Sequence, residues 1–573
     1  MSETTVALAE QPAVAPQAQQ QQSELDPRRW RALLAVLTAS FMVLLDISIV
    51  NVAIPAIRSN LAATNADIQF VVAGYGLAYA LVLITGGRLG DIYGRKRLFM
   101  IGMAGFVTTS ALCGLSQSAV MLDISRVVQG LTAALMFPQV LSVIQVTFPP
   151  HERARAFGTL GAIIGIATIT GPLVGGLIIR DDFTGPAWRW IFLVNLPIGI
   201  ASLFAAARLL RESRAPNASR LDLIGVLIAS VGLFLLVYPL VEGQDAGWPT
   251  WTFICLGLSP VVLALFVLYE RSLPATRFPL VQLSLFRIRA FRVGVLISAL
   301  FLMGFPAFFF TFSLMLQVGL GFSALHAGLT TIPLSVGAAI TSALSARIVP
   351  RFGKWTISIG AGLLALGVLG IILTLDARGE AVSSFDLIPS FVVSGLGLGM
   401  VIAPMLNVIL AGVPGRDAGS ASGVLTTFQQ LGGAVGIAVI GVIFFSLLSN
   451  RASDTVNTVT PSLRTQLTSL GLPAHQVRAS VATFTHCFEA RAGASDPTAL
   501  VPGCQSVTNS AQARTPVGYA FASAGTLAVA RDFVTTIERT LFINVGLWFA
   551  TALLATLLPR PHSGQPPSVQ PAH

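Results

Sequence analysis

Fourteen separate runs of mainly apolar residues, most of them about 20 or more long, punctuate this chain, and no other feature limits its fold so tightly. They fall at 32–56, 68–87, 98–117, 120–147, 156–179, 188–209, 222–241, 251–270, 292–316, 326–349, 355–375, 385–412, 419–447 and 540–559, with charged or turn-rich breaks between them. In hydrocarbon a segment must satisfy its own backbone hydrogen bonds, which an isolated apolar run does only as a helix. Charged residues make up 10% of the 573 residues and hydrophobic ones 54%, against roughly 25% charged in soluble domains. The expectation is an all-α, polytopic membrane protein.

Fourteen spans place both termini on one side, and the basic residues choose the side. With the N-terminus inside, the cytoplasmic segments hold 23 of the 35 Arg and Lys, and the short outer loops hold only Arg58, Arg180, Arg189 and Arg378. Positive residues stay on the cytoplasmic side, so both ends are expected there, in the cell membrane, and the high pI needs no nucleic acid to explain it. Residues 1–30 are rich in Gln, Ala and Pro and lack the basic start, apolar core and cleavage site of a signal peptide. They read as a disordered cytoplasmic tail, and 560–573 as a second tail.

The chain repeats itself. GGRLGDIYGRKR (86–97) and SARIVPRFGKW (345–355) superpose after a shift of 259 residues, matching Arg88 to Arg347, Tyr93 to Phe352, Gly94 to Gly353 and Arg95 to Lys354. Cytoplasmic hairpins favour Gly, Arg and Lys in any case, but here the spacing is shared as well. Repeated halves are a common construction of secondary transporters, with the substrate site between them. The division expected is a six-helix half at 31–210, two inserted helices and basic loops at 211–290, and a second six-helix half at 291–559.

These residues resemble the major facilitator superfamily, and within it the 14-helix drug:proton antiporters of the EmrB/QacA type, from about residue 30 to 447 and again at the last helix. GRLGDIYGRKR (87–97) is similar to the family's loop motif, in which Gly87 and Gly94 permit close backbone approach, Asp91 accepts charge-assisted hydrogen bonds, and Arg95 supplies a cation. Such a set can latch one conformation. LDISRVVQG (122–130) resembles the motif with an intramembrane arginine, Arg126, for which Asp123 is a local candidate partner. GIATITGPLVGG (165–176) resembles the antiporter motif, where Pro172 removes a backbone hydrogen bond and Gly171, Gly175 and Gly176 allow tight helix packing. WRWIFLVNLPIG (188–199) reads as an interfacial aromatic anchor without chemistry. In GSASGVLTTFQQLGGAVGIAV (419–439), Gln429 and Gln430 are candidates for lining a cavity, as is Asn51 in the first run.

LDISIVNVAIP (45–55) matches the family's first-helix motif, with Ser48 where threonine is usual. At 1.5 Å per residue, Asp46 sits about 15 Å and Arg126 about 9 Å below the outer ends of their helices. A charge in the membrane core costs from about 2.5 to beyond 10 kcal/mol, so such residues usually face a cavity and act there. Desolvation favours the neutral carboxyl and a nearby cation favours the ionised one, which suits a group that exchanges a proton for substrate. The bland alternatives are a carboxylate capping a broken helix, or a permanent pair with Arg126.

The six histidines form no helix-spaced cluster and no GxxxxGK stretch occurs. No metal, cofactor, enzyme activity or self-contained ATP-driven pump is therefore expected. The segment 448–539 reads as a long polar external loop; Cys487 and Cys504 within it, in an oxidising setting, are expected to form a disulfide, with two free thiols as the alternative. Cys113 and Cys255 lie in spans, as packing residues. The function implied is proton-coupled efflux of amphipathic drugs by a monomer working by alternating access in the bilayer. The rivals are an exporter of an endogenous lipid, siderophore or self-made natural product, and a transporter-like sensor or adaptor.

Overall fold

Lipid spans demand helices, and helices are what the apolar runs form. The computed structural model describes residues 26–558 apart from 64, 181–185, 216–220, 244–245, 274–278, 354, 493–503 and 505–514; the side chains of Asn51 and Pro172 also lie outside the described residues. The helices are α1 (Arg29–Leu61), α2 (Asn65–Tyr93), α3 (Arg95–Gly114), α4 (Ala119–Thr147), α5 (Pro150–Arg180) and α6 (Ala187–Leu209). Then come α7 (Leu223–Glu242), α8 (Thr250–Ser272), α9 (Arg289–Gly319), and α10 in three pieces (Ala324–Thr330, Ile332–Ala343, Ser345–Phe352). The last are α11 (Trp355–Ala381), α12 (Ser384–Ala411), α13 (Ala418–Ser469), α14 (Ala474–Ala492) and α15 (Pro516–Ala555).

Twelve described helices are long and apolar enough to cross a membrane, and the last two pieces of α10, bent by 67°, make a thirteenth. With α5, a helix of 31 residues, the arrangement is compatible with fourteen spans. Polar side chains mark several starts: Ser118 accepts from Met121 N at α4, and Ser383 with Asp386 forms a capping box at α12. Both turns of the sequence repeat place their glycine in the left-handed region, Gly94 at φ 107° and Gly353 at φ 56°, which explains why glycine recurs there.

Packing repeats as the sequence does. In the first half α1 packs on α5 and α6, α2 on α4, and α3 on α4 and α6. In the second, α9 packs on α13 and α15, α10 on α12, and α11 on α12 and α15. The halves meet through α2 against α13 and α5 against α10, the same pairing taken in both directions. The inserted α7 and α8 pack on each other, with the Ser259 hydroxyl donating to Gly232 O at 2.9 Å, and α7 touches α2 and α13.

The segment expected to be a long loop is instead largely helical. α13 has 52 residues and α15 has 40, whereas crossing the membrane takes about 20, so both project well beyond it. Together with α14 they enclose a separate core that includes Val456, Val459, Leu463, Leu467, Phe484 and Ala528. The sequence hid this because composition there is polar; only the spacing of residues 452, 456, 459, 463 and 467 betrays an apolar stripe at helical period. Cys487 and Cys504 are bonded, with S–S 2.02 Å. The bundle rests on the second half: Arg531 Nη2 donates to Glu380 Oε1 of α11 at 2.9 Å, and Phe533 faces Gly319 of α9.

The bridge closes a short loop off α14, and loops of this size contribute about 3 kcal/mol when cross-linked. Thiol labelling of Cys487 should appear only after reduction. Reduction should also speed trypsin cleavage at Arg478 and Arg491 in the projecting bundle, with the membrane helices left intact.

Candidate functional site

α1 runs unbroken through Asp46, so its carboxylate caps no helix end. It lies fully buried and meets Arg126, which is 2% exposed, across the gap between α1 and α4, Nη1 donating to Oδ2 at 2.5 Å. The guanidinium also donates from Nη1 to Gln129 Oε1 at 2.8 Å and from Nε to Val71 O of α2 at 2.9 Å. The Tyr75 ring lies under it at 4.3 Å. On the carboxylate, Oδ1 accepts from Gln129 Nε2 at 3.0 Å and from Asn195 Nδ2 of α6 at 3.2 Å. Side chains from four helices therefore share the pair, each charge being met by several hydrogen bonds. Such a site tolerates burial only while complete: deleting one partner leaves an uncompensated charge, at a cost of about 3–5 kcal/mol.

Asp123 is not the partner of Arg126. The donors of Arg126 that turn inward are occupied by Asp46, Gln129 and Val71 O, while one oxygen of Asp123 is buried without a hydrogen bond. Spacing of i,i+3 allowed the local pair, but the carboxylate across the helix interface takes the arginine. Sequence reasoning missed Gln129 and Asn195. Gln129 stands one turn beyond Arg126 on the same face, a signal that could have been read; Asn195 is masked by the aromatic anchor around it.

A second constellation closes the end of the bundle that carries Arg95. Asp91 Oδ1 accepts from Gly419 N at 3.0 Å and Oδ2 from Ser420 N at 2.9 Å. These are the first free backbone donors of α13, at the positive end of its dipole. Arg95 Nη2 donates to Asp91 Oδ1 at 2.6 Å and to Gly415 O at 2.9 Å, so both charges of this buried pair reach the second half. A Cβ at Gly87 or at Gly419 would strike the other residue's backbone, which is why two glycines face each other there. Gln145 Nε2 of α4 adds bonds to Leu410 O at 2.5 Å and Val413 O at 3.2 Å. Gly94 turns the chain so that the Glu212 carboxylate accepts from Lys96 N and Arg97 N at 3.1 and 3.2 Å, capping α3. At the ends of α1 and α5, Arg29 Nη2 donates to Glu152 Oε1 at 2.7 Å.

In the glycine-rich stretch of α5, a Cβ at Gly171 would collide with Ser48 of α1, and one at Gly175 would press on Ile49 at 2.9 Å and Val52 at 3.3 Å. Gly176 faces Leu325 of α10 at 3.6 Å. Gln429 and Gln430 of α13 are half-buried. Among the described residues no group of three metal-ligating side chains occurs.

A family model described as Major Facilitator Superfamily matches residues 36–437. The chain is 39% identical over 534 residues to the probable actinorhodin transporter of Streptomyces coelicolor, covering 93% of this chain and 92% of the relative. It is 35% identical to the tetracenomycin C resistance and export protein of Streptomyces glaucescens, covering 75% and 78%, and 33% identical to a puromycin resistance protein of Streptomyces alboniger, covering 73% and 82%. Among solved structures, the human organic anion transporter MFSD10 shares the fold with TM-score 0.54 at 16% identity, over 73% of this chain and 94% of that one.

Replacing Asp91 by Asn removes the charge that joins Arg95 to the start of α13. The contact between the halves should loosen by about 3 kcal/mol, the lower range for a broken buried pair. Ser422, buried against Ser142 at this contact, reports it: in a Ser422→Cys background, Asp91→Asn should raise the labelling rate at least tenfold.

Proposed function

The chain belongs to the major facilitator superfamily, and on that premise we propose that it couples export of amphipathic drugs or antibiotics to proton entry, as a monomer, by alternating access between its two halves. Efflux is supported by relatives named as a probable actinorhodin transporter, a tetracenomycin C resistance and export protein and a puromycin resistance protein. The observation that carries the coupling is the buried Asp46–Arg126 pair, the kind of intramembrane charge that membrane proteins keep for work on ions or protons. The Arg95 end is taken as cytoplasmic, with both termini, because basic residues gather there.

In this reading the Asp91 contacts close the cytoplasmic side while Asp46 takes a proton from outside. The neutral carboxyl then holds Arg126 less tightly, and the halves rock until the site faces the cytoplasm. There the proton leaves and substrate enters. A membrane potential contributes about 2.3 kcal/mol per charge per 100 mV to the cycle. Of the aromatic run of α9, Phe301, Phe308 and Phe312 are buried in the core, and the half-buried Phe305 and Phe309, edge to face at 5.0 Å, are the rings left to such substrates.

One observation favours the narrower reading of a self-made natural product as substrate. The actinorhodin relative aligns over 93% of the chain, enough to include most of the projecting bundle, whereas the other two align over 73–75%. The alignment that extends into the bundle is thus with a protein named as a probable actinorhodin transporter.

Inverted vesicles with a pH-gradient dye test the proposal. Aromatic antibiotics should dissipate the gradient with the parent protein and not with Asp46→Asn, while purified Asp46→Asn stays folded. A parent that never dissipates it, or a variant that does so equally, overturns proton coupling through Asp46.

A further inference from the structure

The two oxygens of Asp46 have unlike neighbours. Oδ2 faces Arg126, which only donates. Oδ1 faces two amides, Gln129 Nε2 at 3.0 Å and Asn195 Nδ2 at 3.2 Å. All of these neighbours donate, which suits an ionised carboxylate and not a protonated one: a carboxylic acid is itself a donor, and a buried donor needs an acceptor. Gln129 cannot supply it, because its Oε1 already accepts from Arg126 Nη1 at 2.8 Å and from the Cys113 thiol at 3.5 Å.

Asn195 can. It is fully buried, and its Oδ1 has no hydrogen bond among the described residues. Its amide orientation follows from chemistry, since Nδ2 donates to Ser110 Oγ at 3.1 Å while the Ser110 hydroxyl hydrogen is committed to Phe192 O at 2.9 Å. With the amide reversed and Asp46 ionised, Oδ1 would face acceptors on both sides.

The geometry points to Asn195 as the positioning residue that lets Asp46 hold a proton: a half-turn of its carboxamide presents an acceptor to Asp46 Oδ1 while Arg126 and Gln129 stay in place. This rests on the reading of Asp46 as the proton carrier. The proton comes from water, an O–H bond forms at Oδ1, the carboxylate charge is cancelled, and Asn195 Oδ1 accepts the new hydrogen. The Ser110 hydroxyl turns with it: it gives up Phe192 O and donates to Asn195 Oδ1 instead. On the cytoplasmic side the O–H bond breaks, the proton returns to water, and the amide turns back. The titratable groups that act on Asp46 are Arg126 from α4, Tyr75 from α2 and Cys113 from α3; α6 brings Asn195, which does not titrate.

The test is infrared difference spectroscopy of the purified full chain across pH, following the protonated-carboxyl band. Asp46→Asn identifies that band by its loss; an unchanged spectrum overturns the reading of Asp46 itself, separately from the role of Asn195. Asn195→Leu removes this acceptor but leaves Arg126 and Gln129 on the carboxylate. The midpoint should move about one pH unit lower, a tenfold loss of proton affinity, the worth of one hydrogen bond. Ser110→Ala removes two hydrogen bonds from the donor orientation, from Asn195 Nδ2 and to Phe192 O, but one from the reversed orientation, so its midpoint should move higher. A purely structural role for the two residues predicts no such opposed shifts. Midpoints that stay with the parent, or that move the same way in both variants, overturn the proposal, and Ser110→Ala alone decides it if Asn195→Leu does not fold: a midpoint unmoved or lowered sinks it.

Discussion

Everything in the first half is arranged around a pair of charges that hydrocarbon would otherwise reject. Asp46 and Arg126 sit where an isolated ion costs several kcal/mol or more, and the structure answers with partners from neighbouring helices. α2 supplies a carbonyl and an aromatic face, α4 supplies Gln129, and α6 supplies Asn195. Since no single helix could complete this set, the pair fixes how α1, α2, α4 and α6 must sit relative to one another. It also makes the site sensitive: a change of one charge alters the need for every donor around it.

The second buried pair differs in one decisive respect. Asp46 and Arg126 both belong to the first half, whereas Asp91 and Arg95 bind backbone groups of the second. The first pair can change protonation without either half moving, and the second cannot open without separating them. The contact at Asp91 also relies on main-chain donors at the start of α13, which are unsatisfied by the helix itself. Any movement of α13 away from α2 must therefore return those donors to water, at a cost similar to their gain, which is the balance that a reversible gate requires.

How much of this was legible depended on the length scale of the signal. Spans were readable because a run of 20 apolar residues has one structural solution in lipid, and the turn repeat was readable because Gly94 and Gly353 both adopt φ that other residues avoid. Asp46 and Arg126 stood out for the same reason, as charges in apolar runs. In the sequence both Asp46 and Asp123 are candidate partners of Arg126; the packing of α1 on α4 shows which carboxylate reaches the guanidinium. Asn195 was hidden because asparagine in a span is unremarked by charge. The projecting bundle is hidden because its apolar residues, such as Val456, Val459 and Leu463, are spaced at helical period along a polar segment and form no long run.

The repeat finally sharpens what is not repeated. The shift of 259 residues that aligns the two turns places Pro350 opposite Asp91 and Phe305 opposite Asp46. The second half thus keeps the helix packing of the first while lacking both carboxylates. In their stead it carries stacked phenylalanines on α9, with Trp548 of α15 against Phe308 at 5.9 Å. A scaffold duplicated in backbone but divided in chemistry has a simple physical use. A buried ion pair needs directional partners around each charge, whereas a cluster of aromatic rings packs with few directional demands. Placing the two on different halves lets the aromatic packing vary without disturbing the charges.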